Sequence, residues 1–249
     1  ELVDRTNRSV TITATGREVA VQAKLVLRDL DSLVESARGR NEPLTGSLRL
    51  GVIPTIAPFM LPNVLPKLRA EYPDLRLLLT EDQTQRIYKR LMDGALDVLL
   101  LALPWPMQGV EELPLFRDPF CLACHEDTDR VDPKNYRFNR LDSDSILLLE
   151  DGHCLREHAL AACRIKNTQK VRQFAASSLL TLVEMVDADL GITFLPEMAR
   201  GSSLLGNTNV TLHSMSEQSY RTIGLVWRKG SRRAEEFRLL GEFFREHRS

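Results

Sequence analysis

The chain has 249 residues, 43% of them hydrophobic and 27% charged, and its formal net charge is −1. Ample apolar content with little net charge excludes a disordered chain. The longest uninterrupted apolar run, Val98 to Leu103, falls far short of the roughly 20 residues that span a membrane. No basic-then-apolar leader opens the sequence, so no signal peptide is expected, and the four cysteines are expected in the reducing cytoplasm.

Leu2-Val3 and Ser9 to Thr13 read as two short strands joined by a basic, Asn-bearing turn with Arg5 and Arg8. Two strands that short cannot stand alone and must pack on something else. A long helix follows, with Thr15-Gly16-Arg17-Glu18 fitting a capping box. Val19, Ala23, Val26, Leu30, Leu33 and Ala37 recur at alternating steps of four and three, the seam of a coiled coil. Gly39 ends it, and Arg40 to Pro43 reads as a linker.

From Leu48 the texture becomes α/β. Leu48 to Ile53 reads as a strand, and Leu61, Val64, Leu65 and Leu68 mark a helix face, with Pro62 in the first turn and Pro66 as a kink. Leu75 to Thr80 is a second strand and Gln83 to Met92 a helix closed by Gly94. Val98 to Leu103 is apolar on both faces, as in a parallel sheet covered on both sides. A second block repeats the pattern. Pro119 to Cys124, Ile146 to Leu149, Val171 to Phe174 and Gly191 to Leu195 read as strands, with helices at His158 to Cys163 and Leu179 to Ala188. Arg221 to Trp227 is the last strand, and Ala234, Phe237, Leu240 and Phe244 line a final helix.

Cys121-Leu-Ala-Cys124-His125 matches the c-haem attachment string. It sits in a buried strand, where residues three apart point to opposite faces, so the thiols do not converge on a metal. They read as two small buried hydrophobes. No metal or cofactor is expected. Neither a nucleophile elbow nor a phosphate-binding glycine loop is present, and His213 and His247 read as solvated surface residues.

Glu150-Asp151-Gly152-His153-Cys154-Leu155-Arg156 is the segment with chemistry. Gly152 follows a strand and precedes helix formers, which puts Cys154 at a helix N-terminus, where free amides and the dipole favour a thiolate. His153 and Arg156 add positive charge, and these are conditions that lower a cysteine pKa. The alternative is an inert thiol at a strand-to-helix corner. Cys163 lies nine residues on. In one continuous helix the two would be about 13.5 Å apart along the axis, against the Cα separation of about 7 Å that a disulfide tolerates. The pair is therefore either chemically unrelated or a conformational switch.

These residues resemble the LysR-type transcriptional regulators and, within them, the peroxide-sensing OxyR subfamily. Arg5-Thr-x-Arg8-x-Val10-x-Ile12-Thr13-x-x-Gly16 resembles the wing and linker-helix start, and Leu50-Gly51-Val52-Ile53-Pro54-Thr55 the start of the regulatory domain. The Gly152-His153-Cys154 segment with Cys163 resembles the redox segment, and Arg221 to Val226 a further OxyR segment. The resemblance implies two doubly wound lobes like a type 2 periplasmic-binding protein, after a wing remnant (1–14) and a coiled-coil linker helix (15–40). Lobe I would take 46–118 and 225–249, and lobe II 119–224. It implies that Cys154 is the peroxidatic and Cys163 the resolving cysteine. Thr55, Thr84, His153 and Arg221 would form the peroxide pocket, and Arg5 and Arg8 would touch DNA phosphates. The helix-turn-helix that reads bases would precede residue 1. Implied partners are hydrogen peroxide, promoter DNA, RNA polymerase, a glutaredoxin- or thioredoxin-type reductant, and further copies of the chain as a dimer or tetramer. The competing expectations are a regulator answering to a small-molecule inducer between the lobes, and a thiol peroxidase.

Overall fold

The computed structural model describes residues 1–6, 9–37, 43–133, 145–162, 171–215 and 218–248. Arg8, Cys163, Gly39 and linker residues 40–42 lie outside the described residues. The chain begins with an antiparallel hairpin, β1 (Val3–Arg5) and β2 (Val10–Ile12), leading directly into α1 (Ala14–Ala37). The helix cap is not the expected Thr15. Thr13 Oγ1 accepts from the Gly16 amide at 2.9 Å, two residues earlier, because that hydroxyl stands outside the helix and can reach back to its third amide. On α1, Val19, Val26, Leu27 and Leu30 are exposed.

The α/β part begins at β3 (Gly46–Val52), followed by α2 (Ala57–Glu71), β4 (Leu75–Glu81), α3 (Thr84–Met92) and β5 (Val98–Leu103). These three strands are parallel, with β3 between β4 and β5. All of β5 is buried, as its unbroken apolar run requires. Helix α2 starts earlier than expected and takes Pro58 into its first turn, where a missing amide proton costs nothing. Pro62 and Pro66 then lie inside it. Burial of Phe59, Met60, Leu61, Val64 and Leu68 holds the helix together across both.

The largest departure from expectation is β6. It is one strand of 16 residues, Val110–His125, rather than a short strand beginning at Pro119. Its first half pairs with β11 (Tyr220–Arg228), and its second half with β9 (Thr193–Pro196) and β10 (Val210–Ser214). Both pairings are antiparallel, so the sheet is mixed, in the order β10-β6-β11-β5-β3-β4 with β9 also on β6. The remaining elements are β7 (Ile146–Leu149), α4 (Cys154–Ala162), β8 (Val171–Ala176), α5 (Leu179–Asp187) and α6 (Ala234–His247). β7 and β8 form a parallel pair, and Ile146 bridges to Ile192 beside β9.

Two apolar cores result. The first joins β3, β5 and β11 with α2, α3 and α6. The second joins the C-terminal half of β6 with β7, β9, α4 and α5. Two residues cross over. Phe59 of α2 packs in the second core, and Cys154 of α4 packs in the first. Helix α4 therefore sits on the seam, with Leu155 and Ala159 in the second core immediately after Cys154.

Candidate functional site

Cys154 is the first residue of α4, behind a turn in which Gly152 takes φ +98°, a conformation natural to glycine. The turn is braced from the other half of the molecule: Gln83 Nε2 donates to Glu150 Oε1 at 3.2 Å. The helix-dipole placement agrees with the sequence reading, but the direction of the thiol pKa does not. Cys154 is 2% exposed, and burial pushes its thiol up. The opposing influences are weaker: the Thr84 hydroxyl, the positive charge of Arg221, and the backbone at Ala102 and at Cys154 itself. The flanking charges named from sequence do not supply the expected help. Burial drives the His153 pKa down, which favours its neutral form. The Arg156 side chain is taken up by Asp151 at 3.1 Å and by the Leu149 carbonyl at 3.2 Å.

Arg221 is the cation of the site, and Thr55, Asp118 and Met198, from three distant parts of the chain, surround it. Its Nε donates to Asp118 Oδ2 at 2.9 Å, its Nη1 to Thr55 Oγ1 at 2.8 Å, and its Nη2 to the Thr55 carbonyl at 2.8 Å. The other Asp118 oxygen accepts from the Met198 amide at 3.2 Å. Thr55 Oγ1 accepts from Arg221, which leaves its own proton available to donate. Thr84, the first residue of α3, is buried, and its hydroxyl has no hydrogen-bond partner of normal geometry. The Thr84 hydroxyl and the charge of Arg221 thus both act on the Cys154 thiol, and Thr55 is bonded to the same guanidinium. His153 is buried one residue before the thiol.

Three participants were not read from the sequence. Asp118 and Met198 are joined to Arg221 only by the fold, across 103 and 23 residues, and carry no local signal. His158 did carry one, since it stands four residues after Cys154 on the same helix. Arg5 is exposed in β1, far in sequence from this site.

The other described cysteines are also free thiols. Cys124 belongs to the second core, as a small apolar residue would. Cys121 departs from that reading. Its thiol donates to Glu197, and Arg200 Nη2 lies 3.4 Å from the sulfur. Burial and the Glu197 carboxylate push its pKa up to about 12. Among the described residues no group of three or more His, Cys, Asp and Glu side chains could hold a metal. No described helix is long and apolar enough to cross a membrane. His213 and His247 are half-buried rather than solvated: His213 pairs with Thr211 at 2.9 Å, and His247 stacks on Phe243.

A curled mixed α/β sheet with a polar cluster on the seam between two cores defines the regulatory-domain class built like periplasmic binding proteins. The LysR substrate binding domain family model matches residues 41–249. The chain belongs to the LysR family of DNA-binding transcriptional regulators, and it is homologous to the OxyR-type members. EstR, a transcriptional regulator of Acinetobacter baylyi, is 38% identical over 95% of this chain and 78% of its own length. Two Escherichia coli relatives are each 37% identical over 98% of this chain and 80% of theirs. One is the DNA-binding transcriptional dual regulator OxyR, the other a hydrogen peroxide-inducible genes activator. The reduced regulatory domain of OxyR2 from Vibrio vulnificus superposes with a TM-score of 0.79 at 40% identity, covering 82% of this chain and 97% of that one. Family membership makes the chain a transcription regulator rather than an enzyme.

Proposed function

We propose that this chain senses hydrogen peroxide through Cys154 and passes the signal to DNA by refolding α4. The observation that carries the reading is the action of the Thr84 hydroxyl and the Arg221 charge on the Cys154 thiol, at the start of a helix that bridges both cores. Thr84 and Thr55 offer hydroxyls to orient peroxide. Arg221 stabilises the negative charge that develops as the proton leaves sulfur, and His153 closes the thiol pocket. The sulfur attacks one peroxide oxygen, the O–O bond breaks, and sulfenic acid and water result. The Cys163 thiol then displaces water from the sulfenic acid to give a disulfide.

That second step is incompatible with α4 as folded. Eight helical steps separate Cys154 from Ala162, about 12 Å along the axis. One further residue, at about 3.8 Å, cannot bring the Cys163 Cα nearer than about 8 Å. A disulfide needs about 7 Å or less, so α4 must unwind for the bond to form. Unwinding pulls Cys154 from the first core and Leu155 and Ala159 from the second. In this reading residues 46–118 and 225–249 form lobe I, and 119–224 form lobe II. Residues 1–14 act as a wing whose Arg5 and Arg8 touch phosphates, and 15–40 pair with another copy as a coiled coil. The exposed Val19, Val26 and Leu30 support that pairing. Promoter DNA, RNA polymerase and a thiol reductant that resets the bond complete the partners, in the cytoplasm and as a dimer or tetramer.

Disulfide mapping tests this. The reduced protein is treated with about one equivalent of peroxide, free thiols are blocked, and linked peptides are identified by mass. A Cys154–Cys163 link is expected. It should vanish in Cys154→Ser, and Cys163→Ser should stop at sulfenic acid. No link, with Cys154 still alkylatable, overturns the reading in favour of a regulator that answers to a small molecule.

A further inference from the structure

Among the described residues near Cys154, half-buried His158 holds a buried ring nitrogen that the scheme above leaves unused. It lies on α4 four residues after the thiol, so both residues share a helix face. Long side chains on a helix lean toward its N-terminus, which lays the imidazole back over the turn that carries Cys154. Its Nε2 is 2.8 Å from the Pro104 carbonyl oxygen. A carbonyl only accepts, so Nε2 carries the proton. In the neutral ring Nδ1 is then a bare acceptor, and it is buried without a hydrogen-bond partner. A buried acceptor left empty is costly unless something comes to fill it. The charge of Arg221 is felt at the thiol and at this ring alike.

We infer that His158 Nδ1 is the proton acceptor of the Cys154 pocket: it takes the thiol proton as peroxide is attacked and returns it to the departing oxygen. The inference rests on the peroxide-sensing reading of Cys154. The step balances. The S–H proton moves to Nδ1, a sulfur–oxygen bond forms and the O–O bond breaks. The departing hydroxide takes the proton back as water, leaving His158 neutral, with sulfur oxidised by two electrons and each peroxide oxygen reduced by one. Burial and Arg221 both push the ring's pKa down, favouring an unprotonated Nδ1 at neutral pH, against the opposite pull of the Pro104 carbonyl and Glu157. Among the described residues the charged groups that act on it are Arg221 from β11, itself paired with Asp118, and Glu157 on its own helix; Pro104 contributes only a carbonyl. The role suits a thiol whose own pKa is raised. Such a thiol cannot wait as a thiolate and needs a base at the moment of attack.

The test is the second-order rate of sulfenic acid formation by hydrogen peroxide, followed by stopped flow and mass, in the full chain with Cys163→Ser so that oxidation halts there. His158→Leu removes donor and acceptor and should slow the step about a hundredfold, the lower end of what a placed base contributes. His158→Gln keeps a donor for Pro104 and an acceptor toward the thiol but has no titrating nitrogen. It should slow the step about tenfold and lose the fall in rate that the parent shows on the acid side, below the ordinary imidazole range. Parent-like speed in His158→Leu, or an unchanged acid limb in His158→Gln, overturns the inference. A parent chain that forms no sulfenic acid at Cys154 overturns instead the reading on which it rests.

Discussion

Cys154 and Cys121 make an instructive pair. Both thiols are buried, and both lie near an arginine and an oxygen-bearing side chain. They differ in which group is closest and in what that group does to charge. Cys121 donates a hydrogen bond to the Glu197 carboxylate, an anion that punishes a thiolate, and Arg200 is already committed to Glu197 at 2.5 Å. Cys154 meets a hydroxyl, backbone dipoles and the charge of Arg221, all of which favour a thiolate against the cost of burial. Burial and a nearby arginine therefore do not mark a reactive cysteine. What separates the two is the sign of the nearest charge and whether a donor faces the sulfur.

The sharpest way to break the contrast is Arg221→Met. It removes the cation from the Cys154 side and strands the Asp118 carboxylate, which is 3% exposed. Truncating one partner of such a buried pair costs about 3–5 kcal/mol, which denaturant unfolding would register. The Cys154 thiol should rise further in pKa and react more slowly with peroxide. A midpoint equal to that of the parent would show that Arg221 is not held as described.

Gly152→Ala should act more mildly on the same side. A non-glycine residue at φ +98° is strained by about 1–2 kcal/mol. The added Cβ would also stand 2.8 Å from Gln83 Oε1, displacing the side chain that holds Glu150. Thermal unfolding reads the cost. A backbone already relaxed out of the positive-φ region would show none.

Glu197→Gln is the mildest change and sharpens the Cys121 side. The Glu197–Arg200 pair is half exposed, so its loss should cost at most about 1 kcal/mol. Removing the carboxylate's charge should bring the Cys121 pKa down from about 12, though burial keeps it above the ordinary thiol value. Thiolate absorbance against pH measures this, and the peroxide response of Cys154 should not move. A Cys121 titration that stays in place would mean burial alone sets it.

Local elements were legible in the sequence wherever a periodicity could speak. Val98 to Leu103 announced a strand covered on both faces, and the hairpin, the long helix and the final helix all stand close to where their patterns place them. The first half of β6 was not legible. Glu111, Glu112, Pro114, Arg117 and Asp118 break the apolar alternation on a strand that is covered mainly by its neighbours. The position of Cys154 at a helix start could be read from Gly152 and the helix formers after it. The sign of its pKa could not, because burial depends on β5, α3 and β11 meeting over it. His153 and Arg156 misled for the same reason. A charge counts at a site only where the fold points it, and the fold pointed Arg221 there from 67 residues away.

The pairing of β6 with β11 contains one extra residue. Ile223 stands opposite Phe116 and Gly224 opposite Pro114, so Leu115 bulges out of register. Gly224 admits the close approach, since a Cβ there would fall 2.9 Å from the Leu113 carbonyl. The extra residue is absorbed within the bulge, so Asp118 stays opposite Arg221 on one side of it and Val110 opposite Arg228 on the other. Elsewhere in β6 a residue gained or lost has no such outlet: the strand would slip by one and turn Asp118 from Arg221, Cys121 from Glu197 and Phe120 from the second core together. For this chain, the loss of three nucleotides at the Leu115 codon would be a smaller event than the same loss a few codons downstream.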